Sequence, residues 1–505
     1  VLQFLLRHAA AGPAAPGTGP EHRGVPVPVD EEADTAVLAA GLAARTLQAM
    51  AGSALYVQLE GGFARYAVDR QWSVPHFEKM LYDNVQLLRA YAQWAVQAAG
   101  SAERELALGV AGSTADWMLA GLGLPGGGLA SSLDADTVVD GGHYEGGTYL
   151  WSAAQLHRVL GSGNGVADWV AAVLGIGPPG TVTAEGTPLH PGRVLHAAET
   201  ERWNRIKPLL QQARRQRPQP GRGDKVVAGW NGLAVAALAE AAGVLGRPGL
   251  LAAAEAAAGY LLRVHLDSSG RLARASHGGA ARGIEGVLED YAGVAEGLFT
   301  LYAATGDERW YTAGERLLLR TEERFLAGDT LLDEAEQPQQ LAAARARRRG
   351  ADPLENAAPS GASLFAGVLV SYAAYSGSDR HRELAVRLLG YLGRVAPRLP
   401  RVAGWGLAVA QALVCGPAEL AVTGEEAAVD ELVRAARSTG SPGMVIARRT
   451  PGAAAPDDTA VPLLRNRPAP DAGALAYVCR GMVCRRPVAD AASLVAELTP
   501  GHRGG

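Results

Sequence analysis

The stretch GGFARYAVDRQWSVPHFEKMLYDNVQLL, residues 61–88, decides how the chain is read. A glycine pair and an aromatic turn lead to Pro75, and an apolar-periodic run follows. Proline suits the first position of a helix, because the N–H it lacks has no partner there. The spacing predicts an amphipathic helix opening at Pro75, with His76, Glu78, Asp83 and Asn84 in its first three turns. At about 100° per residue, Phe77, Met80, Leu81, Asn84, Leu87, Leu88 and Tyr91 share the packing face. His76 and Asp83 then lie about 20° apart on one border of that face, and Glu78, Tyr82 and Arg89 line the other. A single His or Glu at a helix start is ordinarily a cap or a partner of the helix dipole. Asn84 on the packing face needs hydrogen-bond partners of its own.

The same arrangement recurs along the chain. Trp230-Asn231-Gly232, Leu288-Glu289-Asp290-Tyr291, Ser360-Gly361-Ala362 and Gly404-Trp405-Gly406 each open a strongly apolar helix. Ser360 is a suitable N-cap. Short turns at Gly100, Gly246, Gly306 and Gly377 join each helix to a more polar follower, which favours antiparallel hairpins. Roughly eleven or twelve helices in consecutive hairpins, without a strict repeat period, predict a closed ring, an (α/α)6 toroid. It is expected over residues 1–415, with a loop-rich insertion at about 121–225. Residues 419–423 and 444–447 read as strands flanking a helix at 427–436, a small βαβ-like unit within 416–505 packed on the toroid.

Composition narrows the function. The chain has 505 residues, a net charge of -4 and 19% charged residues. That balance gives no electrostatic reason to expect nucleic acid as a partner, and the run Arg345, Arg347, Arg348, Arg349 reads as a solvated loop. No apolar run free of charges reaches the roughly 18 residues of a membrane span, Glu240 interrupting the longest candidate. Three cysteines point to a reducing compartment, and with no recognisable secretory signal a cytoplasmic protein is expected. Cys479 and Cys484 lack a nearby His or second Cys pair, which favours a buried thiol pair or a labile disulfide over zinc. Neither a metal nor a phosphate-binding glycine loop is expected, so no cofactor is called for.

In such a ring the inner helices run parallel, and their N-termini meet at one mouth. Polar and aromatic residues there would face a common site, joined by the loop of residues 134–151. The acid–base candidates are His76, Glu78, Asp83 and Asp290. Candidate ligand contacts are Tyr66, Trp72, Asn84, Asp134, Asp136, Trp151, Trp230, Asn231, Tyr291, Ser360 and Trp405, the aromatic rings serving as stacking surfaces for a sugar. Paired carboxylates about 5–10 Å apart serve glycoside hydrolysis, so a sugar or small polar ligand is the expected partner.

Residues 61–84 resemble the signature of the spermatogenesis-associated, thioredoxin-domain-containing protein family. DKVVAGWNGLAVAALA, LEDYAGVAEGLFTLYAATGD, APSGASLFAGVLV and AYVCRGMVC resemble the same family in the same order. The resemblance implies an (α/α)6 domain of the six-hairpin glycosidase type, similar to N-acylglucosamine 2-epimerase-like proteins. It also implies an upstream thioredoxin-like domain as a partner, whose C-x-x-C does not occur in this sequence. Val57 and Glu60 stand where the family commonly has Asp and Gly. Two functions follow as expectations. One is hydrolysis or epimerisation of a sugar at the mouth; the other is a non-enzymatic regulatory module for the thioredoxin-like domain.

Overall fold

The computed structural model describes residues 1–11, 29–177, 186–335, 350–449 and 458–499. The arginine run 345–349 and most of the Pro/Gly-rich loop 12–29 lie outside the described residues.

Six inner helices close a ring. They are α1 (Leu2–Ala11), α3 (Leu81–Gln97), α5 (Ala228–Leu245), α7 (Leu288–Thr305), α9 (Gly361–Ser376) and α11 (Gly404–Cys415). Each packs against the next in that order, and α11 returns to α1. Five of them carry an outer partner: α2 (Val29–Gly52), α4 (Ser101–Trp117), α6 (Pro248–Tyr260), α8 (Glu308–Phe325) and α10 (Asp379–Leu388). The fold is the (α/α)6 toroid expected from the helix hairpins, with a β-strand rather than a helix following α11.

Sequence composition separates the two layers. In α5 every residue from Leu233 to Ala239 is buried, because an inner helix has neighbours on all sides. By length and composition α5 would also span a membrane, although Glu240 sits within it, and most of it is buried inside the ring. In α8 the buried residues Trp310, Tyr311, Gly314, Leu317, Leu318, Thr321 and Phe325 follow helical spacing, leaving a charged outer face. Hairpins close through Gly246, Gly306 and Gly377, each left-handed after its helix. At Gly100 the expectation differs, since that glycine is extended and precedes α4 instead of ending α3.

The backbones of α5 and α7 approach closely. A Cβ on Gly293 would lie 2.8 Å from the Gly229 carbonyl oxygen, and one on Gly232 would overlap the Gly293 backbone. Glycines let the two backbones touch where any side chain would separate them.

The described residues between 123 and 223 form short strands and the helices Ala153–Leu160, Val166–Val173 and Ala197–Arg215. These bury a small core of their own around Leu156, Val170, Trp203 and Leu210. After the ring, β1 (Glu419–Gly424) and β2 (Val445–Arg449) pair in parallel through α12 (Glu426–Arg437). The strand β3 (Ala474–Arg480) lies antiparallel on the other side of β1, and β4 (Val483–Cys484) pairs with β3. All six residues of β1 are buried. Leu420 and Val422 face a core containing Val429 and Leu432 of α12, whereas Ala421 joins the core of the ring. Cys479 and Cys484 form a disulfide between β3 and β4.

Candidate functional site

The N-termini of the inner helices do meet at one mouth. Gly229, near the start of α5, donates its N–H to Asp290 at the start of α7 (3.0 Å). Gly361 opens α9 against Leu288 and Glu289, Val1 lies against Gly404 at the start of α11, and Tyr82 of α3 meets Trp230 edge-on at 4.8 Å.

The entrance to α3 differs from the sequence expectation. Pro75 does not open the helix; α3 begins at Leu81. Residues 75–80 are extended, Pro75–His76 pairing with Tyr66–Ala67 and Lys79–Met80 with Ser132–Leu133. Burial alternates strictly, with Pro75, Phe77 and Lys79 inward and His76, Glu78 and Met80 outward. That period of two is the mark of a strand, and it was obscured because a lysine occupies an inward position. The Lys79 ammonium donates to the Gly61 carbonyl (2.8 Å) and lies 3.9 Å from the centre of the Trp117 ring. Burial, reinforced by Arg214, holds its pKa well below the usual lysine range. The helical-wheel relation between His76 and Asp83 therefore does not exist, yet the strand brings His76 and Glu78 to one face.

A continuous polar rim follows. His76 Nδ1 is 2.8 Å from Glu145 Oε1, and its Nε2 is 3.8 Å from Glu78 Oε2. The His76 ring stacks on Tyr66 at 4.9 Å, a cross-strand pair. Arg65 donates to Glu78 (3.0 Å) and acts electrostatically on Asp83 in the first turn of α3. The Asp83 Oδ2 is buried and has no hydrogen-bond partner among the described residues. Burial pushes the Asp83 carboxyl up to about 7; Arg65 opposes the rise and the Glu78 carboxylate adds to it.

The other candidates serve different ends. Asp290 is fully buried, accepting N–H groups from Gly229 and Val287 and a guanidinium hydrogen bond from Arg274, each at 3.0 Å. Burial raises its carboxyl to about 6 against the pull of Arg274. Asn84 accepts the Phe63 N–H (2.7 Å) and donates to the Phe63 carbonyl (3.0 Å). Asn231 does the same for Leu129, at 2.8 and 3.0 Å. The Tyr291 hydroxyl accepts the Leu272 N–H (2.9 Å), and Ser360 caps α9 through the Ser363 N–H (3.1 Å). Trp151 lies in the core of the 123–223 region, its ring centre 3.9 Å from the Arg217 guanidinium. Trp72 packs with positive φ and accepts the Ala54 N–H through its carbonyl. Asp134 is exposed, and Asp136 sits across the hairpin from Glu145, its Oδ2 3.6 Å from His143. Trp405 is buried beside Arg89, 5.4 Å from the guanidinium.

A second polar centre lies deeper in the ring. Arg89 of α3 donates twice to Glu240 of α5 (2.8 and 2.6 Å) and once to Glu296 of α7 (3.0 Å). These residues line a cavity of about 240 Å³ that α1, α5, α7 and α9 also border. The readable signal was a single charge embedded in an apolar helix, most plainly Glu240, the one ionisable residue of α5. No group of three or more His, Cys, Asp or Glu able to hold a metal occurs among the described residues.

No family model matches the chain. It is 29% identical to human (Homo sapiens) spermatogenesis-associated protein 20 over 505 residues, covering 91% of this chain and 62% of that protein. Among solved structures, a D-mannose isomerase aligns with TM-score 0.40 and 10% identity, covering 69% of each chain. A cellobiose 2-epimerase from Spirochaeta thermophila aligns with TM-score 0.36 and 13% identity, covering 74% of this chain and 70% of that one. The chain is similar to the proteins named spermatogenesis-associated protein 20, whose family residues 61–84 resemble, and it spans less than two thirds of the human protein's length.

Proposed function

We propose that this toroid acts on a carbohydrate at the mouth of the ring, with Asp83 as the group that transfers a proton. The observation that carries this reading is half-buried Asp83, whose enclosed Oδ2 has no hydrogen-bond partner among the described residues and whose carboxyl is pushed up to about 7. A carboxyl poised there gives or takes a proton near neutral pH, and such perturbed groups cluster at functional sites. Glu78 supplies a second carboxylate on the same rim, held by Arg65. His76 stands between two carboxylates, its Nδ1 2.8 Å from Glu145 and its Nε2 3.8 Å from Glu78. Exposed Tyr66 and half-buried Trp230 offer ring faces for a sugar. Both hydrolysis and epimerisation need a group that gives or takes a proton during the reaction, which a carboxyl poised near neutral pH can supply. In this scheme Asp290 positions: it ties α5 to α7 and keeps Arg274 at the edge of the mouth.

The test is a turnover and calorimetric screen of mono- and oligosaccharides. Asp83→Asn should retain binding and lose turnover by about 10²-fold or more, and His76→Ala should weaken both. Undiminished turnover in both variants would discard the scheme.

A second reading has its own support: Asn84, Asn231, Asp290 and Ser360 are all spent on internal hydrogen bonds. Here the toroid is a regulatory or scaffolding module for an upstream thioredoxin-like domain. It predicts thiol–disulfide activity in a protein carrying both parts, with no sugar turnover by the toroid.

A further inference from the structure

The deep cavity has a charge balance that its own residues do not complete. Its lining holds three guanidiniums, Arg7, Arg89 and Arg437, and two carboxylates, Glu240 and Glu296, so three less two leaves one positive charge. Arg89 takes both carboxylates. Arg7 donates to the Ala408 carbonyl and Arg437 to the Ala303 carbonyl, each at 2.9 Å. Neither of these two has an ion-pair partner among the described residues.

A guanidinium carries five N–H donors and stays charged in a protein. Both arginines are surrounded by protein while keeping part of their surface open to the cavity. A cation withdrawn from water without a counter-charge is costly, and the usual remedy is a paired anion. Burial is the main cause that lowers the proton affinity of both groups; Arg89 adds to it at Arg7 and Arg448 at Arg437, while Glu240 and Glu296 oppose it at Arg7 and Glu240 and Asp430 at Arg437.

The two arginines come from different parts of the chain. Arg7 belongs to the first inner helix, and Arg437 ends α12 in the C-terminal unit, whose residues 440–446 close one side of the cavity. The cavity is separate from the mouth: Asp83 and Arg89 are six residues apart on α3, about 9 Å along its axis. Its volume of about 240 Å³ has room for roughly eight waters, and Gln93 and Thr300 add neutral polar groups to the lining.

We propose that this cavity binds a small oxyanion, a carboxylate or phosphate on a polar body of monosaccharide size, with the anionic group held between Arg7 and Arg437. Guanidinium forks match both oxyanions. The ligand touches the ring and the C-terminal unit together, so its binding ties the two.

The test is thermal-shift and calorimetric titration of the intact chain with sodium phosphate, glucose 6-phosphate and sodium glucuronate, against sodium chloride at matched ionic strength. Binding by the phosphates alone, by glucuronate alone or by both supports the site and identifies the oxyanion. Arg7→Gln and Arg437→Gln should each weaken binding about 10-fold or more, the loss of a charge-assisted hydrogen bond. Glu240→Gln removes a competing negative charge and should tighten binding severalfold, a gain that misfolding cannot imitate. Stabilisation no greater than that by chloride, or affinity unchanged in both arginine variants, overturns the proposal.

Discussion

Arg89 and Glu240 form a two-point ion pair between neighbouring inner helices, Nε to Oε2 at 2.8 Å and Nη2 to Oε1 at 2.6 Å. The Arg89 side chain is buried, and its third hydrogen bond reaches Glu296 on the next helix. One residue thereby joins α3, α5 and α7 around the lumen. Its pKa is driven further up by the two carboxylates, which outweigh the burial that would lower it.

Arg89→Met should therefore destabilise the fold by about 3 kcal/mol, because Glu240 and Glu296 lose the one cation hydrogen-bonded to both. Urea denaturation measures this. Adding Glu240→Gln should restore part of the loss, since one of the stranded charges goes with it. A double variant as unstable as the sum of the singles contradicts the pairing.

Asn84→Ala should cost about 2–3 kcal/mol. Its amide satisfies both the N–H and the carbonyl of buried Phe63, and each group left unpaired carries a desolvation penalty of about 1–3 kcal/mol. The readout is the denaturation midpoint, together with faster amide exchange at Phe63. Protection at Phe63 equal to that of the parent chain refutes the link.

Asp83 and Asp290 should each contribute stability that falls as pH rises from about 4 to about 7, against the opposite contribution of His190, His265 and His381, whose burial lowers their pKa. The folded state raises Asp83 to about 7 and Asp290 to about 6, above the ordinary value of 3.8. In that window these two groups bind more protons in the native chain than in the unfolded one, so their contribution to the slope of unfolding free energy with pH is negative. Asp83→Asn should flatten the curve between about 6 and 7 and leave the lower part, due to Asp290, in place. Denaturation curves at closely spaced pH values check both; an unchanged slope near 7 in Asp83→Asn refutes the assignment.

Gly232→Val should destabilise by about 3 kcal/mol or more, since its side chain would enter the backbone of α7 at Gly293. Gly249→Ala, at a position on α6 with nothing within 4 Å, should be neutral or slightly stabilising. Equal stability of these two variants contradicts the close α5–α7 approach.

The ring was legible in the sequence because its causes are local. Apolar helices alternate with amphipathic ones, as in α7 and α8, and Gly246, Gly306 and Gly377 stop them where a left-handed residue is needed. The parallel strand pair around α12 was legible for the same reason, as short β-branched and aliphatic runs on either side of a helix period. The entrance to α3 was not. Pro75 begins a helix or a strand equally well, and Lys79 broke the alternation because its burial depends on Trp117 and the Gly61 carbonyl, contacts supplied by distant chain.

The chain's own pattern thus determined the toroid, the convergence of inner-helix starts and the presence of His76, Glu78 and Asp83 near one of them. Only the tertiary structure decided which of those groups are free to act. Asp290, Asn84 and Asn231 read alike as polar residues at helix starts, yet folding closes each on backbone partners, while half-buried Asp83 keeps an enclosed oxygen with no partner among the described residues. Hydrogen-bond satisfaction and desolvation are set by what packs around a side chain, so residue type and spacing do not fix them. The same holds for Arg7 and Arg437, which lie 430 positions apart and share a cavity once the ring has closed.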